Sequence, residues 1–250
     1  MSQLSNDYLT QFLDSTKEIE FERFIQNLNL NKNKISFDFA VSSVYSSNIE
    51  GNTMDINSYF NYDLRSKINR EKREIDELIL AYNFAKENEL NYDNLLEAHR
   101  ILSLSFLDEF QQGTIRNSPV GVFGSSGLIY MALEADKVEV ELKKLMDEVT
   151  ELLSRELSIQ EVFYYASFLH LRIAHIHPFA DGNGRIARLV EKWFLAQKLG
   201  IISWKIKSEQ YYKENQKEYY TNINIGPNFY ELDYSQSIPF LLMLAKSFEL

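Results

Sequence analysis

"HPFADGNGRIAR", residues 177–188, places a histidine, an acid, two glycines around an asparagine and two arginines within twelve positions. The run is too polar for a core and too specific for an ordinary turn. Before it, "SIQEVFYYASFLHLRIAHI" reads as a helix, and "RIARLVEKWFLAQKLG" after it reads as another. There Ile186, Leu189, Val190, Trp193 and Phe194 recur at the helical period, and Gly200 suits the helix end. The motif therefore joins two helices, with its glycines at the start of the second.

A helix N-terminus carries unpaired N–H groups and partial positive charge, which attract anions. Gly182 and Gly184 allow backbone angles at which successive N–H groups can curl around phosphate oxygens. Arg185 and Arg188 lie three apart in the first turn, roughly on one face. Cations there oppose the helix dipole, which makes sense if an anion sits between them. Asp181 is a hard oxygen donor suited to Mg²⁺. His177 titrates near neutrality and suits a general base for an incoming hydroxyl. Together these residues describe a phosphoryl or nucleotidyl transferase site, and no "GK[ST]" sequence accompanies them to suggest an ordinary P-loop.

Working outward, helical patterns dominate. "NDYLTQFLDSTKEIEFERFIQNL", "SFDFAVSSVYSSNIEGN", "REKREIDELILAYNFAKE", "NYDNLLEAHRILSLSF" and "DKVEVELKKLMDEVTELLSREL" all carry apolar residues at helical spacing. "KSEQYYKENQKEYYTNI" reads as one polar-aromatic helix, and the last stretch as a further one. Only "GTIRNSPVGVFGSSGLIYMAL" breaks the pattern, with short β-prone runs around "GSSG", as in a hairpin or flap. The fold class is all-α with a small β-hairpin.

The 250 residues suffice for a sizeable core. No cysteine is present, which excludes disulfides, thiolate zinc sites and cysteine nucleophiles. A net charge of −10 argues against a general nucleic-acid binder, though a local basic site can still hold a small phosphate ligand. "IPFLLMLA", the longest apolar run near the C-terminus, falls far short of the ~20 residues that span a bilayer. The opening "MSQLSNDYLT" lacks the basic start and apolar stretch of a signal peptide, so a cytoplasmic protein without membrane partners is expected.

At residues 177–188 the sequence resembles the Fic (filamentation-induced-by-cAMP) family, whose signature is HxFx[D/E]GNGRxxR. "FLHLRIAHIHPF" upstream, "GTIRNSPVGVFG" and "EAHRILS" extend the resemblance to about residues 37–220. It implies an all-helical fold with a β-hairpin flap, and transfer of AMP from ATP to a Ser, Thr or Tyr hydroxyl of a protein, the chain itself included. On this resemblance His177 is the base and Asp181 holds the Mg²⁺ of the nucleotide. Gly182, Asn183 and Gly184 form the anion hole, and Arg185 and Arg188 hold the phosphate tail. Phe179 anchors the loop. The flap residues Val120, Gly121, Val122 and Phe123 would pair with an extended target segment. Relatives that act as Doc-like kinases carry lysine near position 184, so Gly184 favours AMP transfer.

"SSNIEGN", residues 46–52, matches the family's inhibitory pattern [S/T]xxxE[G/N] through Ser46, Glu50 and Gly51. The implied role is that Glu50 pairs with Arg188 and blocks productive ATP binding, as a brake in the same chain. A glutamate there can also orient water for AMP removal, and the sequence does not choose between the two. Alone, the stretch reads as a helix end with a solvated glutamate. Tyr219 and Tyr220 match a "YY" where the family's adenine pocket closes, a pattern that also serves plain packing. Asn228 is a further candidate for base contact. His170 is expected to support the catalytic loop, His99 and His175 to be structural, and Arg116 to order the flap base.

The expected organisation is an N-terminal helical region over 1–60, a core over 61–205 and a C-terminal helical extension over 206–250. A homodimer is expected only by analogy. The competing function is a nucleotide-binding regulator locked by Glu50, with no significant transferase activity.

Overall fold

In the computed structural model, residues 3–30, 34–63, 69–124 and 127–249 are described. Two long helices form the centre, α8 (Ile159–Ile176) and α9 (Asn183–Leu199). Both are buried around most of their circumference, and α9 is buried without interruption from Arg185 to Leu195. A helix buried on nearly every side must be enclosed by others, and the charged residues that α9 buries must find partners there. The enclosing elements are α1 (Leu9–Ser15), α2 (Phe21–Leu30), α3 (Ile35–Ile49), α5 (Arg70–Glu87), α6 (Tyr92–Leu102), α7 (Ala135–Ser154), α10 (Ser208–Glu214), α11 (Gln216–Ile223) and α12 (Ile238–Lys246). A short α4 (Ile56–Phe60) follows α3.

One apolar cluster runs from Leu4 through Trp193 to Ala245, drawing on all three ranges expected from the sequence. A smaller one, Val44, Met54 and Ile75, fastens α3 to α5. Strands β1 (Gly121–Gly124) and β2 (Gly127–Met131) pair antiparallel, with an irregularity between Val122 and Phe123. The two serines of the "GSSG" tip lie outside the described residues.

Two expected helices are each divided. The N-terminal pattern breaks after α1, where the Thr16 hydroxyl donates to the Phe12 carbonyl at 2.9 Å and offers the backbone an alternative to helix. The stretch from 208 breaks at Asn215, whose backbone and side-chain amides both donate to the Tyr211 carbonyl. Apolar spacing continues across both breaks, so periodicity alone does not mark them.

Beneath α3, Lys192 and Glu209 form a fully buried ion pair at 2.6 Å. Lys192 also donates to Ser42 at 2.6 Å, and the Tyr82 hydroxyl donates to Glu209. Removing one partner strands the other charge in the core. Glu209→Leu is therefore expected to cost about 3–5 kcal/mol in urea unfolding, with Lys192→Met/Glu209→Leu recovering most of it.

Candidate active site

The loop between α8 and α9 begins at His177, which has φ 53° and ψ 61°. Among the described residues it is the one non-glycine with positive φ. Such a conformation costs energy and persists only where surroundings enforce it. Arg116 supplies part of that enforcement: its Nε donates to the His177 carbonyl at 2.7 Å and another nitrogen to Ser118 at 2.9 Å. It thereby ties the base of the flap to this loop.

Phe179 is buried and stacks on His99 with ring centres 3.6 Å apart. His99 accepts the Gly113 N–H at Nδ1 (3.1 Å) and donates from Nε2 to the Asp181 carbonyl (2.9 Å). Burial holds its pKa down to about 4, which keeps it neutral and fit for that pairing. The Asn183 side chain closes the loop, accepting the Phe179 N–H and donating to the Phe179 carbonyl, both at 2.9 Å. Its backbone amide stays at the head of α9, where an anion hole would use it.

At the head of α9, the first intrahelical bond runs from the Ile186 N–H to the Gly182 carbonyl at 3.0 Å. The amides before it have no helical partner. Gly182 has φ 82°, and a side chain there would crowd Leu102, Phe106 and His99 at 3.2–3.3 Å. Asp181 is exposed, and its Oδ1 accepts the Gly182 N–H at 2.6 Å. Arg185 is buried under Phe106, its guanidinium 3.8 Å from the ring centre. It lies 3.5 Å from Glu74 and 3.8 Å from Asp181, and its Nε is buried without a partner. Burial lowers its pKa, yet a guanidinium remains charged.

Arg188 is fully buried and bonded on every side. It donates to Ser46 Oγ at 2.8 Å, the Ser46 carbonyl at 3.0 Å, Glu50 Oε1 at 2.7 Å and the Tyr219 hydroxyl at 3.3 Å. Burial opposes its charge, but Tyr219 and Glu50 outweigh that and raise its pKa. The Glu50 carboxylate also presses on Gly184, where a Cβ would stand 2.2 Å from Oε1. Burial alone would raise the Glu50 pKa. Its pairing with Arg188 prevails and holds it below the usual carboxylate range.

His177 stands with its Nδ1 3.2 Å from the Ala174 carbonyl. A carbonyl only accepts, so Nδ1 carries the proton and Nε2 keeps its lone pair. Burial, then Arg116, lower its pKa, while Glu50 and Asp181 work against them.

The other expected residues have partners of their own. The His170 ring bonds away from the loop: its Nδ1 meets Glu191 at 2.8 Å and its Nε2 the Tyr219 hydroxyl at 2.9 Å. Tyr219 is buried among His170, Tyr212 and Phe240, so its ring belongs to the core and its hydroxyl braces Arg188. Tyr220 keeps an exposed ring, while its hydroxyl donates to the Ile49 carbonyl at 2.9 Å. Asn228 caps its own turn through the N–H groups of Tyr230 and Glu231. His175 is structural, bonded to Tyr234 and the Ile223 carbonyl. Sequence reasoning missed Glu74 and Phe106, which flank Arg185, and nothing in their local pattern signals that position.

Residues 89–195 match the family model described as Fic/DOC family. Proteins named protein adenylyltransferase Fic are similar over part of their length. That of Culex quinquefasciatus is 31% identical over 159 residues, covering 58% of this chain and 30% of that protein. That of Nematostella vectensis is 28% identical over 161 residues, covering 59% and 35%. This chain thus spans about a third of the length of these relatives. Two solved structures share the fold. A Fic family protein from Desulfovibrio desulfuricans G20 gives a TM-score of 0.77 at 23% identity, covering 97% of this chain and 73% of that one. A Fic domain containing signaling protein from Bacteroides thetaiotaomicron VPI-5482 gives 0.65 at 19% identity, covering 99% and 94%.

Proposed function

We propose that this chain transfers AMP from ATP to a protein hydroxyl and is restrained by its own Glu50. The observation that carries the reading is the Glu50 carboxylate 2.7 Å from Arg188 and against Gly184, at the mouth of a helix N-terminus built for phosphate. A carboxylate in that place occupies the cation and the space a nucleotide phosphate would need. The names of the similar adenylyltransferases support the same chemistry.

In the reaction, the Nε2 lone pair of His177 takes the proton of a Ser, Thr or Tyr hydroxyl as its oxygen attacks the α-phosphorus. The bond from that phosphorus to the bridging oxygen breaks, diphosphate leaves, and a phosphodiester joins AMP to the target. The backbone amides of residues 183–185 and the Arg185 and Arg188 guanidiniums stabilise charge on the phosphates. Arg116 and Asn183 hold the loop, so these groups are arranged before substrate arrives.

Asp181 suits Mg²⁺, because an exposed carboxylate beside a phosphate site is how this ion is commonly bound. Bound there, the ion would neutralise phosphate charge. Among the described residues no cluster of three or more His, Asp or Glu could hold a metal unaided, so such an ion would share its ligands with the nucleotide. The hairpin offers a docking edge. Within its sheet β1 pairs with β2 alone, and Phe123 is 72% exposed, so an extended target segment could add along β1.

The test uses Glu50→Gly with Mg²⁺ and ATP labelled at either the α- or the γ-phosphate. Retention of the α label and loss of the γ label, on the chain or an added protein, is the expected result. Transfer of the γ label instead would mean a kinase. Binding of ATP with neither label transferred to any protein offered would favour the locked regulator.

A further inference from the structure

The C-terminal turn of α3 carries Glu50, and a helix end leaves its last carbonyls without helical partners. Here side chains from outside the helix take three of them. Arg188 holds the Ser46 carbonyl, as described above. The other two are held from a single direction. Lys213 Nζ donates at 2.9 Å to the Asn48 carbonyl, which also accepts the Gly51 N–H at 3.2 Å. Gln216 Nε2 and the Tyr220 hydroxyl both donate to the Ile49 carbonyl, each at 2.9 Å. Gln216 Oε1 in turn accepts from Lys213 at 2.9 Å, which joins the donors into one unit.

Lys213 lies in the last turn of α10, and Gln216 and Tyr220 lie four apart on α11, one helical turn, so the donors converge on α3 from both sides of the Asn215 break. None of the three touches Arg188 or His177 through a hydrogen bond given above. A cation at a helix C-terminus is favourable, so Lys213 also adds charge compensation.

We infer that Lys213, Gln216 and Tyr220 form a latch that positions Glu50, and that the latch rather than the Glu50–Arg188 contact alone sets the strength of the brake. The inference rests on the reading of Glu50 as a brake. Its physical basis is effective concentration. Glu50 competes with nucleotide as a tethered ligand, and a tethered ligand is potent only when its platform is held near its site. The latch fixes the two carbonyls immediately before Glu50. With it broken, the last turn of α3 frays, and the carboxylate spends less time on Arg188 although its own chemistry is unchanged. Lys213, Gln216 and Tyr220 are thus positioning residues, acting on Arg188 only through Glu50.

The experiment titrates a non-hydrolysable ATP analogue into four forms of the whole chain by calorimetry. These are wild type, Glu50→Gly, Lys213→Met/Gln216→Leu, and the triple variant. Losing one charged and one neutral hydrogen bond should raise affinity roughly tenfold in the latch variant. The triple variant should bind no more tightly than Glu50→Gly. Amide exchange at residues 47–52 should quicken in the latch variant whether or not Glu50 is present, a change that a packing defect elsewhere would not confine to this turn. Tyr220→Phe, which deletes one hydroxyl, is the milder variant and should move affinity in the same direction.

Wild-type affinity in the latch variants alongside tighter binding in Glu50→Gly would overturn the latch and leave the brake standing. An equal gain from the latch substitutions in both Glu50 backgrounds would also overturn it, because the effect would then not pass through Glu50. Unchanged affinity in Glu50→Gly itself would remove the brake, and the latch with it.

Discussion

Glu50→Gly is expected to raise the initial rate of AMP transfer by roughly a hundredfold, the worth of one charge-assisted hydrogen bond. The figure follows from what a phosphate oxygen must displace. Glu50 Oε1 sits 2.7 Å from Arg188 and overlaps the space above Gly184, so nucleotide gains the cation and the volume together. Glu50→Gln should fall between, since the amide fills the same space without the charge. Intact mass with time resolution reads the result as addition of one AMP. The time course also separates two roles of the carboxylate. A brake lowers the initial rate in wild type. A group that only helps remove AMP would leave that rate unchanged and make the label decay.

The same substitution should weaken the fold. Arg188 is fully buried, and without Glu50 its charge rests on Ser46 and the Tyr219 hydroxyl alone. Leaving a buried charge undercompensated is costly, so a lower unfolding temperature should accompany the higher rate, with ATP restoring part of it. Acid is not a substitute for the mutation. The Glu50 carboxyl is held below its ordinary range by Arg188, so the stability it contributes is present at neutral pH. That contribution is lost only as pH falls through the lowered value. At pH 5 the brake should still be on. An unfolding temperature and rate both unchanged in Glu50→Gly would sink this account.

Much of this arrangement was legible because anion binding concentrates its requirements. Two glycines, two arginines and an acid at the head of a helix have to be contiguous, so residues 177–188 announce a site wherever they occur. Ser46 and Glu50 gained meaning only beside that site, and the structure does bring both onto Arg188. The helices α8 and α9 were equally plain, since their apolar periods are long. Legibility failed where partners are distant in sequence. His170, Tyr219 and Arg188 form one chain of contacts, but no local pattern couples position 170 to 219. The Asn183 side chain closes the loop on Phe179, a role that its place between two glycines does not announce. Lys213 and Gln216 carry no readable signal, because their partners are carbonyls, which have no residue identity to read.

His177 is where the second large effect is expected. In the Glu50→Gly background its replacement should cut transfer by about 10²–10⁴-fold, the range for a lost general base, with ATP affinity nearly unchanged. The choice of replacement matters. His177 has φ 53°, which alanine adopts at a cost of roughly 1–2 kcal/mol, so His177→Ala confounds chemistry with loop strain. Asparagine tolerates that conformation and cannot take a proton at neutral pH, which makes His177→Asn the cleaner test. The pH profile adds an independent reading. A base must be neutral to act, so the rate rises as pH climbs through the His177 pKa and is lost as pH falls below it. Burial, aided by Arg116, depresses that pKa from its ordinary value, which places the rising limb below the usual histidine range. Removing Glu50 takes away a charge that favours the protonated ring, so the limb in Glu50→Gly should lie lower than in Glu50→Asp. Transfer that survives in His177→Asn, or a limb above the ordinary histidine range, would assign the proton to another group.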